Sequence, residues 1–320
     1  MSISKMPSPH KPLVVIVGPT AVGKSELAIR VAEALDGEII SADSRLFYRG
    51  MDIGTAKPSI EERARVPHHL IDVANPDELW SLAHFQKQAR VIIDEVHARG
   101  KLPLLVGGTG QYIRAVVEGW QPPSQPPDHR LRQVLEAMAV QTGAYTMHRK
   151  LAILDPEAAY RIDPRNVRRT IRALEVIFYS GRRFSAQRGK TPSPYNVLRI
   201  GLTRPRGELY QLIDARIDRM IRSGLVDEVQ RLLSQGYGAD LPSMSAIGYR
   251  QVFRFLRGEC SLEEAIAEMK RLTRRYVRQQ GAWFREEDPD IYWFTVDEQT
   301  PDRVIELIHR WLTGEINSPV

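Results

Sequence analysis

The chain has 320 residues, 42% hydrophobic and 26% charged, enough for one large or two ordinary domains with a real core, and this excludes wholesale disorder. Its 22 glycines follow no triplet period, which excludes collagen, and its single cysteine, Cys260, excludes an intrachain disulfide and a thiolate metal cluster. Residues 1–119 hold equal numbers of basic and acidic side chains, so the net charge of +6 lies wholly beyond them.

Met1–Pro12 carries three prolines and no apolar run of signal-peptide length. A flexible N-terminus over 1–12 is expected, in a soluble, monomeric cytoplasmic protein, and the lone cysteine fits a reducing compartment. Leu13–Val17 reads as a buried strand, and Gly18 stops it far short of the ~20 residues of a membrane span. Lys24–Leu35 reads as a helix with Leu27, Val31, Ala34 and Leu35 on one face. Glu38–Ser41 reads as a second strand, Leu82–Arg99 as a helix and Leu102–Val106 as a third strand. Gly107-Gly-Thr-Gly110 then turns into a helix beginning near Thr109, which suits an N-cap. Short apolar runs alternating with helices predict an α/β fold, a parallel sheet flanked by helices.

Gln121–Pro127 has four prolines in seven residues and reads as a linker. Residues 128–180 are helical in pattern and rich in arginine, and Thr191–Pro194 closes that stretch. Leu198–Leu202 reads as a strand returning to the sheet, Glu208–Leu233 and Leu262–Gln280 as long helices, and Ile291–Thr295 as a last strand. The expected organisation is a core over 13–120 and 195–312, a mainly helical basic insertion over 121–194, and a frayed tail over 313–320. Within the insertion, residues 161–190 hold nine basic side chains against Asp163 and Glu175, the footprint of a polyanion-binding surface. A solvated helix face is the alternative.

Gly18-Pro19-Thr20-Ala21-Val22-Gly23-Lys24-Ser25 fits G-x-x-x-x-G-K-[ST] between a strand and a helix. The glycines let successive N–H groups face phosphate oxygens, and the helix adds its positive end. Lys24 supplies a point charge and the Ser25 hydroxyl suits Mg²⁺. The fold is therefore P-loop NTPase-like and the ligand a diphosphate or triphosphate. The strand Leu102–Val106 runs into glycines without a carboxylate. The acid lies instead after the second strand, at Asp43, where carboxyl ends of parallel strands face the ligand. Magnesium ligand, general base and turn-capping residue all remain open for Asp43.

Gly18–Ser25, Ser41-Ala-Asp-Ser-Arg-Leu-Phe-Tyr48, Gly50-Met-Asp-Ile-Gly-Thr-Ala-Lys-Pro58, His68-His-Leu-Ile-Asp72, Val106-Gly-Gly-Thr-Gly110, Arg172-Ala-Leu-Glu-Val176 and Ile247-Gly-Tyr-Arg250 together resemble the bacterial tRNA dimethylallyltransferases, in order from about residue 13 to about 285. Departures are small: the loop ends Val-Gly-Lys-Ser where Ser-Gly-Lys-Thr is common, and Leu46-Phe47 and Gln111 are unusual choices. The resemblance implies transfer of a dimethylallyl group from dimethylallyl diphosphate to N6 of the adenosine 3′ of the anticodon, and Mg²⁺ at Ser25 is expected as the cofactor that shares in stabilising the diphosphate. It implies Asp43 as general base, and Thr20 and Arg216 as further catalytic residues at the diphosphate. It also implies tRNA contacts at Asp43, Ser44, Arg45 and Leu46, at Thr109 and Arg132, at Arg168, Arg169, Thr170, Ile171 and Arg172, and at Ser245, Ala246, Ile247, Gly248, Tyr249 and Arg250.

The residues themselves fit such a partner. Arg165, Arg168, Arg169 and Arg172 are spaced for one helix face, and Arg182, Arg183, Arg188 and Lys190 extend it. Lys270, Arg271, Arg274, Arg275 and Arg278 suggest a second basic helix, with Met269, Leu272 and Tyr276 packing inward. Adjacent His68 and His69 point to opposite faces of an extended chain, which argues against a two-His chelate. Arg216 has a local alternative, pairing with Asp214 or Asp218 on its own helix. Competing functions are a small-molecule kinase with the insertion as lid, an adenylate isopentenyltransferase acting on a free nucleotide, and an RNA-binding protein with a nucleotide switch. A large basic insertion weighs against the second, and an unused Asp43 against the third.

Overall fold

The computed structural model describes residues 11–123, 128–187 and 189–317. It divides into two units: one formed by residues up to Val117 and from Ser193 onward, the other by Glu118–Pro192. In chain order the elements are β1 (Lys11–Val17), α1 (Lys24–Ala34), β2 (Gly37–Ser41), α2 (Ile60–Arg65), β3 (His68–His69), α3 (Leu82–Ala98), β4 (Leu102–Val106) and α4 (Gly110–Val117). The second unit contributes β5 (Trp120–Gln121), α5 (His129–Thr142), α6 (Ala144–Leu154), α7 (Pro156–Arg161), α8 (Val167–Ser180) and β6 (Gly189–Lys190). The first unit resumes with β7 (Tyr195–Thr203), α9 (Arg206–Arg222), α10 (Leu225–Ser234), α11 (Tyr249–Leu256), α12 (Leu262–Gly281), β8 (Tyr292–Thr295) and α13 (Thr300–Leu312).

Six parallel strands in the order β3-β2-β4-β1-β7-β8 form the sheet of the first unit. Strand β1 is central because its five residues Leu13–Val17 are apolar on both faces, as a doubly covered strand must be. Val14 and Ile16 join one core with α1, α9 and α13, while Leu13, Val15 and Val17 join a second with α3 and α4. Parallel pairing leaves all the carboxyl ends at one edge, where the loops after β1, β2 and β4 converge. That edge positions the site.

Several expectations need correction. Lys11 and Pro12 belong to β1, pairing with Tyr195 and Asn196, and the Lys11 ammonium meets Asp94 at 2.6 Å. The strand at 102–106 is the fourth, because His68 and His69 pair beside Ile39 and Ile40. The stretch 208–233 is two helices, broken where Gly224 takes a φ of 93°. Tail residues 313–316 are held by main-chain hydrogen bonds to the last turn of α13, with Ile316 packed on the core. The N-terminal residues 1–10, Pro126 and Pro127 of the linker, Arg188, and the tail residues 318–320 lie outside the described residues.

The second unit is helical, with β5 and β6 as a short antiparallel ribbon. Its core gathers Leu135, Met147, Leu151, Ile162, Ile171, Leu174 and Phe184. Buried Asp155 caps α7, accepting the Ala158 N–H, and also takes the N–H and hydroxyl of Ser185.

One polar node fixes the loop Gly50–Pro58 in the first unit. Glu228 of α10 is almost fully buried and accepts the N–H groups of Asp52 (3.0 Å), Ile53 (2.8 Å) and Gly54 (3.1 Å) and the Tyr249 hydroxyl (2.6 Å). Burial and the neighbouring carboxylate push the Tyr249 phenol well above its usual range, so it stays a donor. Gly54 is obligatory here, since a Cβ would meet the Tyr249 ring at 2.5 Å. Removing Glu228 would strand three partly buried amides. In urea unfolding at pH 7, Glu228→Ala should lower stability by about 3 kcal/mol or more, and Tyr249→Phe by about 1 kcal/mol.

Candidate active site

The phosphate loop begins where β1 ends. Gly18 takes a φ of 145°, and a Cβ there would meet the Leu202 carbonyl of β7 at 2.6 Å. Gly23, with φ 111°, has open space around it, so it is required for its backbone conformation alone. It caps α1 without a side chain, leaving the positive end of the helix uncapped. Ala21 holds a φ of 65°, a strained position for a residue with a Cβ. The Lys24 ammonium turns back to donate to the carbonyls of Gly18 (3.0 Å) and Pro19 (2.7 Å). Burial pushes Lys24 down to about 8, with Asp43 opposing that fall and Arg216 adding to it. The Ser25 side chain is exposed in the first turn.

Asp43 follows β2 and is half-buried. Its Oδ1 accepts the Arg45 N–H at 2.9 Å, so it does serve a turn. It is also the nearby negative charge felt by Lys24 and Arg216. Arg216 reaches the same place from α9, half-buried, donating to the Thr55 carbonyl at 3.4 Å. Burial pushes its guanidinium below the usual range while Asp43 opposes. The helix-mates Asp214 and Asp218 pair with Arg274 and with Lys270 (2.7 Å) of α12, so the local alternative for Arg216 is not the one adopted. Two cations and one carboxylate thus share a partly desolvated space. The imbalance is a demand for an anion.

The turn after β4 completes the site. A Cβ on Gly107 would meet the Ala42 carbonyl at 2.5 Å, one on Gly108 the Gln280 amide nitrogen at 2.2 Å, and one on Gly110 the Trp283 side chain at 2.4 Å. Thr109 accepts the Ser44 N–H at 3.4 Å. Burial, with Asp43 nearby adding to it, pushes the Tyr276 phenol up to about 12. Tyr276 is nevertheless 38% exposed, which corrects its assignment to the inward face of α12. Tyr112, in a ring stack with Phe47 and Phe85, is likewise pushed up to about 12 by burial, with Asp43 adding to the rise. Arg45 donates to the carbonyls of Pro242 (3.1 Å) and Ser243 (3.3 Å), drawing the segment before α11 to the turn that carries Asp43.

Asp43–Leu46, Thr109, Lys24 and Arg216 are therefore brought together. Other residues of the resemblance are not surface groups. In Ser245–Arg250, Ser245 and Arg250 are exposed and Ile247 is half-buried, whereas Ala246, Gly248 and Tyr249 are buried. In the second unit, Arg168 and Arg169 are exposed, but Thr170 and Ile171 face its core because a helix has two sides. The side chains of Thr170, Ile171, Ala246 and Tyr249 lie within the packing of their units. Arg165 lies before α8, bonded to Asp163, so it does not share the helix face of Arg168 and Arg172. Arg132 (2.6 Å) and Arg172 (3.0 Å) both bind Glu175, a buried carboxylate that desolvation would raise but that those guanidinium groups hold below its usual value. Lys190 pairs with Glu118.

Sequence reading missed Gln280, Tyr112, Glu175 and Glu228, which lie on helices where a polar residue reads as solvent-facing. The glycines of Gly107–Gly110 carried the signal for Gln280: each marks a close approach. His68 and His69 are structural, bonded to the Val66 carbonyl and to Glu38.

The family model for IPP transferase matches residues 46–287. A tRNA dimethylallyltransferase of Thermomicrobium roseum is 52% identical over 289 residues, covering 90% of this chain and 88% of its own. A solved tRNA isopentenylpyrophosphate transferase of Bacillus halodurans is 45% identical, with a TM-score of 0.69 over 95% of this chain and 96% of its own. A solved eukaryotic dimethylallyltransferase acting on tRNA is 25% identical, with a TM-score of 0.81 over 96% of this chain and 81% of its own. With most of its length matched by these proteins and by the family model, the chain belongs to the IPP transferase family.

Proposed function

We propose that the chain transfers a dimethylallyl group from dimethylallyl diphosphate to N6 of the adenosine 3′-adjacent to the anticodon in tRNA, releasing diphosphate. The observation that carries this reading is the convergence of Lys24 and Arg216 on a glycine loop beside Asp43. The uncapped start of α1 and the two cations stabilise the charge that develops on the departing diphosphate. The carbon–oxygen bond to diphosphate breaks, a bond from N6 to that carbon forms, and the N6 proton passes to the Asp43 carboxylate. The adenine amine is a weak nucleophile because its lone pair is delocalised into the ring, so removal of that proton assists attack. Thr20 supplies a hydroxyl within the loop.

Magnesium fits this place. Ser25 presents an exposed hydroxyl, and among the described residues no group of three or more His, Cys, Asp or Glu could hold the ion by itself. Its remaining oxygens would come from diphosphate and water, as Mg²⁺ prefers. When bound it supplies charge neutralisation at the leaving group.

A target adenosine in a single-stranded loop is splayed out at low cost. Asp43–Leu46, Thr109, Ser245 and Arg250 are the proposed contacts around that base. Exposed Arg168 and Arg169, with Arg132 and Arg172 set by Glu175, are proposed to meet the phosphate backbone. We propose that the enzyme acts in the cytoplasm as a monomer. Among the described residues no helix is long and apolar enough to cross a membrane.

Labelled dimethylallyl diphosphate, Mg²⁺ and unmodified tRNA should yield N6-prenylated adenosine on nucleoside analysis, with AMP left unmodified and ATP unconsumed. Prenylation of AMP in place of tRNA, or use of ATP, would replace this reading. Asp43→Asn should lower single-turnover rate by about 10²–10⁴-fold with tRNA affinity within about twofold. Arg168→Glu with Arg169→Glu should weaken tRNA binding and reduce the magnitude of its log–log salt slope by about two.

Lys24 gives the site a pH dependence. Its folded value lies below the ordinary 10.5, so between about pH 8 and 10.5 the unfolded chain binds more protons, and this group's contribution to stability rises with pH. Anion affinity runs the other way, falling as the ammonium is lost above about pH 8. Calorimetric titration with pyrophosphate in buffers of different ionisation enthalpy should show proton uptake near pH 8, abolished in Lys24→Met.

A further inference from the structure

Gln280 lies near the end of α12, buried at 5% exposure, and spends both ends of its amide on main chain. Its Oε1 accepts the Thr20 N–H at 2.9 Å, and its Nε2 donates to the Gly108 carbonyl at 3.2 Å. Thr20 belongs to the loop after β1 and Gly108 to the turn after β4, the strand paired beside it. One side chain thus ties two loops at the edge where the ligand-facing carboxyl ends converge. Gly108 makes room for it, since a Cβ there would sit 2.2 Å from the Gln280 nitrogen.

The geometry points to Gln280 as a positioning residue that holds the phosphate loop in its anion-binding curvature through Thr20 and Gly108. The inference rests on the proposed diphosphate site. The loop turns through Gly18, Ala21 and Gly23 at positive φ, and Ala21, with its Cβ, keeps that conformation only under external restraint. The hydrogen bond on the adjacent Thr20 is such a restraint, supplied before any ligand arrives, so the loop need not reorganise when the anion binds. It also fixes which amides are available: the Thr20 N–H is committed to Gln280, and those at the start of α1 are left to the ligand. The clip enters from α12, the helix that also carries exposed Arg271, Arg275 and Arg278.

The test uses the full chain with three variants: Gln280→Met, which fills similar volume without the amide, Gly108→Ala, which displaces the amide without removing it, and the double variant. Readouts are pyrophosphate Kd by calorimetry, KM for dimethylallyl diphosphate against KM for tRNA, and Tm. Each single variant should weaken pyrophosphate about three- to tenfold and raise the donor KM in step, with tRNA KM unchanged. The double variant should lose no more than the worse single one, because both remove the same clip. Unchanged pyrophosphate affinity in Gln280→Met with wild-type affinity intact overturns the inference, whatever happens to Tm. So do losses that multiply in the double variant. Failure of the wild-type chain itself to bind pyrophosphate or form product overturns the proposed function instead.

Discussion

Two cations facing one carboxylate in a partly dehydrated space is the constraint on which the site depends. Lys24 and Arg216 are both pushed down by burial, and Asp43 compensates only part of that cost. The Lys24 ammonium rests on carbonyls of its own loop. In the proposed reaction a diphosphate would replace those neutral acceptors with charged ones, concentrating binding energy at the group whose charge grows.

The surrounding polar nodes keep that arrangement in place. Lys57, with a side chain only 2% exposed, donates to the Tyr48 carbonyl, Asp52 and Asp72, joining the segments at 48–57 and 72. Glu228 gathers the amides of Asp52–Gly54, and Thr55 in the same loop accepts from Arg216. A chain of hydrogen bonds therefore runs from α10 through one loop to the guanidinium in the site. Glu175 plays a comparable part in the second unit by orienting Arg132 and Arg172.

Strands β1 and β4 were legible because both faces are covered, giving continuous apolar runs. Strand β3 was not, since two histidines carry no such pattern, and α2 was missed because it buries no residue. The phosphate loop and Asp43 were readable from spacing and strand position, whereas Arg216 came only from the resemblance. Thr170 and Ile171 show the limit of contiguous motifs: neighbours in sequence lie on opposite sides of α8 from the exposed arginines. Gln280 and Glu228 were invisible because nothing in a helical pattern separates a buried amide or carboxylate from a solvated one until the packing partner is known.

The placement of β1 has a consequence for biosynthesis. Its residues pair on one side with β4 and on the other with β7, which emerges from the ribosome only after the entire second unit has been made. Thr20 waits still longer, for a partner 260 positions downstream. Such distant pairings slow the search for the native state. They also mean that a polypeptide ending before residue 280 lacks the side chain that accepts the Thr20 amide.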